Sequence, residues 1–165
     1  MGTRAGDIDA GVLLYLLRSG DFDVESLDKL LNTQSGLKGI TGTNDMREIE
    51  ERADRGDEPS RFAIDAYAHR VLKYIGAYAA VMGGVDAIAF TAGVGENSAT
   101  VRARVAQRLA VLGVDLDLEA NRNARVDVKC PVARISTAQS RAALLIVRTD
   151  EEMAMAKDAQ GLLAG

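Results

Sequence analysis

Apolar residues recur at helical spacing in the first half of this 165-residue chain and gather into short continuous runs in the second. Residues 10–18 set Val12, Leu13, Leu16 and Leu17 on one helical face, and Gly20 stands where that helix would close. The stretch FDVESLDKLLN repeats the pattern with Val24, Leu27, Leu30 and Leu31. TQSGLKGITGTND is too rich in Gly, Thr and Asn for a helix, and its composition predicts a structured loop. A charged helix is predicted over 45–53, followed by a surface turn at DRGDEPS. The longest helix is predicted over 60–82. There Ile64, Tyr67, Val71, Leu72, Ile75, Tyr78 and Met82 form a continuous stripe that Gly83-Gly84 ends.

Beyond residue 84 the period changes. VDAIAF reads as a buried strand, and AFTAGVGENS as the turn that follows it. Ser98 can cap a helix that carries Val101, Val105 and Leu109 inward, while Arg102, Arg104 and Arg108 are predicted to form a solvated face. PVARIS is a second strand, AALLIV has the character of a central parallel strand covered on both faces, and a last helix spans 149–163. Strand–helix–strand–helix order predicts an α/β sheet with right-handed crossovers. The length suits one domain with a real core, and no internal repeat is present.

Composition narrows the classes. Hydrophobic residues make up 47% and charged residues 27%, which are globular values. A net charge of -4 without a long basic block argues against nucleic-acid or anionic-membrane partners, although local arginines can still hold a phosphate. Cys130 is the only cysteine, so no intrachain disulfide forms and a reducing compartment is the simpler expectation. No apolar run reaches spanning length and the N-terminus has no signal-like pattern, so a cytoplasmic location is expected.

The turn Thr91-Ala92-Gly93-Val94-Gly95-Glu96-Asn97-Ser98 carries the chemistry. Ligands of open α/β sheets bind beyond the carboxyl ends of strands. Gly93 and Gly95 can take positive φ and admit a ligand to their amides, and the helix that follows offers unpaired N–H groups, so the pattern suits a nucleotide phosphate. A plain strand-to-helix turn capped by Asn97 and Ser98 reads equally well. A dinucleotide fingerprint is a further alternative, with Asp115 or Asp117 as the ribose acid, but Ser98 stands where its third glycine belongs.

Four stretches, in order, resemble the acetate kinase family. FTAGVGENS followed by VRARV is similar to that family's F-T-G-G-I-G-E-N-S-x-x-V-R, and MGTRAGDIDAG to its M-G-T-R-S-G-D-I-D-P. GLKGITGTNDMREIE resembles G-L-x-G-[IV]-S-G-x-S-x-D-x-R, and RTDEEMAMAKDA resembles T-N-E-E-L-x-I-A. The resemblance implies an α/β actin-like ATPase (ribonuclease H-like) domain, the C-terminal half of a two-domain acetate kinase. It implies reversible MgATP-dependent phosphorylation of acetate to acetyl phosphate, with ADP as the other product, in a cytoplasmic homodimer. By the same resemblance Gly93, Val94, Gly95, Glu96 and Asn97 form the nucleotide-binding turn, and Asp45, Met46 and Arg47 a second nucleotide-binding segment. Arg4 matches an arginine that stabilises the transferred phosphoryl group, and Glu151 a carboxylate that helps place Mg²⁺.

The departures are Ala92 for a glycine, Ala5 for a serine or cysteine, Asn44 for a serine and Asp150 for an asparagine. A full N-terminal domain precedes this region in the family and is missing from this sequence. With it would go an asparagine at the Mg²⁺, the acetate-binding arginine, the acid–base aspartate, a histidine and a second phosphate loop. The resemblance therefore implies a chain that needs that N-terminal domain as partner and is inactive alone.

Each residue singled out has a plainer role as well. Arg4 is either the phosphoryl-binding guanidinium or half of a surface ion pair with Asp7 or Asp9. Asp7 and Asp9 read as acids at a helix N-terminus, with metal contact as the alternative. His69 reads as a helix-surface or packing residue rather than a catalytic one. Thr149-x-x-Glu152 has capping-box spacing, which leaves Glu151 free to face the site. Propionate and butyrate kinases share much of the pattern. Two other classes stay open: an NAD-binding Rossmann-type oxidoreductase fragment and a non-catalytic dimerising remnant.

Overall fold

The computed structural model describes the backbone of residues 1–164, with every side chain among them except those of Glu151, Glu152, Ala154, Lys157, Leu163 and Ala164. Where the length predicts one core, contacts group the chain into two compact units, Met1–Tyr74 and Ile75–Gly165.

The first unit is helical. Helix α1 (Ala10–Ser19) ends at Gly20 in the left-handed conformation, as predicted. Helix α2 (Val24–Thr33) packs against it and opens with a capping box between Asp23 and Ser26. The loop predicted over TQSGLKGITGTND contains instead a short helix, α3 (Gly36–Thr41). Tertiary contacts override its weak propensity: Leu37 is buried, and the amides of Leu37 and Lys38 donate to the Met1 and Gly2 carbonyls. The N-terminal segment thus satisfies the open end of α3 and is itself held in place. Gly36 is required there, because at φ 61° a Cβ would lie 2.0 Å from the Met1 carbonyl oxygen. Helix α4 (Met46–Asp54) starts at Asp45 and sinks Met46, Ile49 and Ala53 into the core. Helix α5 (Glu58–Met82) begins in this unit, with Ala63, Ile64 and Ala68 buried.

The predicted stripe of α5 holds only in part. Ile64 is buried and Tyr67, Val71, Leu72 and Ile75 are half-buried, but Tyr78 and Met82 are 60% and 67% exposed. The helix stops at Gly83 and Gly84, both at positive φ.

The second unit is built on a three-stranded sheet in the order β1-β3-β2. Strand β3 (Ala143–Val147) is central, runs parallel to β1 (Ala87–Phe90), and pairs antiparallel with the edge strand β2 (Val132–Arg134). Leu144 and Ile146 are fully buried while Ala143, Leu145 and Val147 are half-buried, so one face is sealed more completely than the other. The buried strand predicted at VDAIAF is a correction: as an edge strand β1 leaves Ala87 and Ala89 exposed and buries only Phe90. After it come two short helices, α6 (Ala92–Asn97) and α7 (Ala99–Ala106), a 3-10 turn (Ala110–Leu112) and α8 (Leu118–Asn123). Val101, Val105 and Leu109 point into the core as predicted. Helix α9 (Glu151–Ala164) closes the described chain. Among the described residues no helix is long and apolar enough to cross a membrane.

Candidate functional site

The predicted site residues fall in both units. In the first, Arg4 lies on the segment threaded past α3, with its side chain exposed. The surface pair predicted as its plainer role is absent, since Arg4 makes no ion pair among the described residues. Asp7 goes elsewhere. It accepts from Arg70 at 2.6 Å, Lys73 at 3.1 Å and the Tyr74 hydroxyl at 2.5 Å, which corrects its reading as a helix-terminal acid. The Tyr74 hydrogen bond first, then Lys73, holds its carboxyl below the usual range. Asp9 does cap α1, accepting from the Gly11 amide at 2.6 Å. His69 is exposed on α5, beside a surface cavity that Asp7, Arg70 and Lys73 also line.

The Asn44–Asp45 turn runs beside this segment: a Cβ on Gly2 would lie 3.6 Å from Asn44 Cβ. Asp45 is the N-cap of α4, accepting from the Arg47 amide at 3.0 Å. It also takes both prongs of the Arg47 guanidinium, Nε at 3.1 Å and Nη2 at 2.7 Å. The Arg47 side chain, then its amide, lowers the Asp45 carboxyl to about 2, and the carboxylate in turn raises the Arg47 guanidinium. Arg47 remains open to solvent, with a side chain 84% exposed. Met46 is buried at 6%, so its side chain belongs to the core and this segment meets solvent through Arg47.

In the second unit the glycine turn leaves the carboxyl end of β1 at Thr91. The positive φ expected at its glycines falls instead on Ala92, at 58°. That is the position at which the resembling motif has glycine, and an L-residue is strained there. Gly93 and Gly95 are helical and differ in purpose. A Cβ on Gly95 would stand 3.1 Å from the Phe90 carbonyl carbon, so Gly95 lets α6 approach the end of β1. A Cβ on Gly93 would meet nothing within 4 Å among the described residues, which leave its outer side open.

Polar groups around the turn are engaged from within. The Asn97 amide nitrogen donates to the Gly93 carbonyl at 2.8 Å, and the Ser98 hydroxyl caps α7 by accepting from the Val101 amide at 2.9 Å. Glu96 Oε1 accepts from the Thr149 amide at 2.9 Å and hydroxyl at 2.8 Å. Partial burial pushes the Glu96 carboxyl up, but the Thr149 and Ala92 hydrogen bonds and the charge of Arg148 outweigh it and hold the group below its usual range. The capping box predicted between Thr149 and Glu152 turns on the Glu152 side chain, which lies outside the described residues. The Thr149 amide is taken by Glu96, and the Met153 amide at the start of α9 donates to Asp150 Oδ1 at 3.0 Å. The backbone of Glu151 opens α9, and its side chain lies outside the described residues.

The largest correction is Arg102. It is 1% exposed and not part of a solvated row. Nη1 donates to the Gly95 and Glu96 carbonyls, each at 2.9 Å, while Nε and Nη2 donate to Asn121 Oδ1 at 2.7 Å and its carbonyl at 2.9 Å. Neither Arg102 nor Asn121 stands out by residue type. The available signal was spacing: position 102 lies on the Ser98–Arg102–Val105–Leu109 line, whose other members are all buried.

The two aspartates of the dinucleotide reading are engaged within the chain. Asp117 caps α8 by accepting from the Ala120 amide, and Asp115 accepts from the Thr137 hydroxyl. Among the described residues no three His, Cys, Asp or Glu side chains gather as a metal cluster. Asp150 is occupied, with Oδ1 capping α9 and Oδ2 paired with Arg148 at 3.0 Å.

The family model described as the Acetokinase family matches residues 1–157. The chain belongs to the acetate kinase family. An acetate kinase from Streptomyces avermitilis is 51% identical over 99% of this chain, which covers 39% of that protein. One from Clostridioides difficile is 47% identical over 96% of the chain, covering 39% of its own length. The crystal structure of Porphyromonas gingivalis acetate kinase superposes with a TM-score of 0.89 at 39% identity, over 99% of this chain and 40% of that one. A propionate kinase from Francisella tularensis superposes with a TM-score of 0.83 at 36% identity, over 93% of this chain and 38% of that one. The chain spans about two-fifths of the length of these relatives. Its fold is the α/β actin-like ATPase type at the C-terminal portion of acetate kinases.

Proposed function

We propose that this chain is the C-terminal nucleotide-binding part of an acetate kinase, which phosphorylates acetate reversibly from ATP to give ADP and acetyl phosphate. The observation that carries the reading is the open outer side of Gly93, at the carboxyl end of a strand parallel to the central one. Phosphates reach backbone amides most closely where no Cβ intervenes. In this reading Gly93, Val94 and Gly95 take up the nucleotide phosphates. Glu96 and Asn97 shape that turn by their hydrogen bonds and complete the nucleotide-binding segment. Within the first unit Arg47, with Asp45 fixing its fork, offers a positive charge to an anionic ligand. In the same unit Arg4, exposed and unpaired among the described residues, offers a guanidinium suited to a phosphoryl group. When bound, Mg²⁺ neutralises charge on the phosphates. The carboxylate proposed to help place it is that of Glu151, whose side chain lies outside the described residues.

Acetate is the proposed acceptor because the most similar relatives named above are acetate kinases, while the propionate kinase shares the fold at lower identity. The acetate-binding and proton-handling groups are assigned to an N-terminal domain outside this chain. A cytoplasmic homodimer is part of the proposal, supported by exposed apolar side chains at Tyr78, Val81 and Met82. Calorimetry tests the function. The chain is expected to bind MgATP or MgADP but not NAD, and to form no acetyl phosphate alone. Activity should appear when the N-terminal part of a related acetate kinase is supplied. Preference for NAD, or no nucleotide binding, would overturn the proposal.

A further inference from the structure

We propose that Arg102 is a positioning residue that pre-sets the glycine turn for its nucleotide, an inference that rests on the turn being the phosphate contact. Helix α6 has six residues, too few to hold its own shape in water. Its last carbonyls need partners from outside the helix. The Val94 carbonyl receives the Ser98 amide at 2.9 Å, and those of Gly95 and Glu96 both receive Arg102 Nη1. A single guanidinium nitrogen therefore fixes the carboxyl end of the segment whose amino end would meet phosphate.

Arg102 is itself held against rotation. Its Nε and Nη2 form a fork on Asn121, whose side-chain amide donates back to the Ala99 carbonyl at 2.9 Å. Asn121 is 1% exposed, so water does not compete for these bonds. On the other side of the same segment, a Cβ at Gly95 would stand 3.1 Å from Phe90, leaving α6 little freedom to slide along β1. The guanidinium is suited to this task and an ammonium is not. Planar donors reach two carbonyls and an asparagine at once, whereas a lysine can replace the charge but not the fork. Arg102 touches no ligand in this account; it acts through the Gly95 and Glu96 carbonyls.

The test pairs Arg102→Lys with Arg104→Lys, an exposed position on the same helix, and uses ADP with Mg²⁺ as the probe. Arg102→Lys is expected to weaken ADP binding by about ten- to a hundredfold, the usual cost of losing a group that orients a contact group. Amide exchange across 94–98 should accelerate without nucleotide, and Arg104→Lys should change neither. A purely structural role would lower the melting temperature while leaving the affinity of the folded protein intact, and that outcome overturns the inference. If Arg102→Lys does not fold, the wild-type Arg102 Nε–H resonance is the readout. It should be protected from exchange and shift on ADP addition, and saturable binding without a shift overturns the inference equally. Absence of ADP binding by the wild type would instead remove the nucleotide reading, and this inference with it.

Discussion

Two arginines show how differently this chain satisfies polar groups at its two motif segments. Arg47 and Asp45 face solvent and satisfy each other, with the guanidinium closing on the carboxylate of its own helix cap. At the glycine turn the polar groups are backbone carbonyls, and a buried guanidinium arrives from the next helix to meet them. An exposed pair competes with water and contributes little to stability, whereas a buried donor network is costly to break. The first segment keeps its guanidinium at the surface. The second spends its charge on shape.

The largest expected effect would break this contrast outright. Arg102→Met leaves the Gly95, Glu96 and Asn121 carbonyls without donors and is expected to cost about 3 kcal/mol or more. Arg47→Ala should stay within about 0.5 kcal/mol of the wild type. Urea denaturation of both variants checks the pair, and equal losses would abolish the distinction. Next in size is Gly95→Val, whose side chain meets Phe90. It should destabilise by about 1–3 kcal/mol, the range for overpacking, while Gly93→Val leaves stability nearly unchanged.

A smaller effect runs the other way. Ala92 holds φ 58°, so Ala92→Gly should relieve left-handed strain and raise stability by about 0.5–1 kcal/mol in the same assay. The smallest effect concerns pH. Because the Asp45 carboxyl is lowered from 3.8 to about 2, its contribution is present above about pH 4 and lost as the pH falls through about 2. Titration by NMR should place its midpoint near 2, and Arg47→Ala should move that midpoint back toward 3.8.

These contrasts also show what the sequence could disclose. Period and punctuation were enough for α1 with its Gly20 stop, for α5 with Gly83-Gly84, and for the inward line of Val101, Val105 and Leu109. AALLIV was legible as the central strand from its apolar run, but the cover expected on both faces is incomplete, since Ala143, Leu145 and Val147 are half-buried and the β2 neighbour runs antiparallel. Helix α3 was hidden, since its stability comes from Leu37 and from the Met1 and Gly2 carbonyls, 36 residues before the amides they receive. The exposure of β1 was hidden too, because a run of apolar letters does not reveal an edge. At the candidate site the motif positions were legible but not their division of labour. Arginines read as solvated by default, yet Arg102 is buried; the two glycines read alike, yet a Cβ on Gly95 would meet Phe90 while one on Gly93 would meet no described residue. Thr149, the partner of Glu96, lies 53 positions away and no local pattern links them.

The central claim is that the amides from Gly93 to Gly95 form the nucleotide's phosphate contact. It is tested most directly by titrating the isotope-labelled chain with MgADP while following its backbone amide resonances. Saturable shifts should concentrate at Gly93, Val94 and Gly95 and vanish in the stably folded Gly93→Val variant. Saturable ADP binding that leaves these three amides unmoved, or that survives Gly93→Val unchanged, would contradict the account.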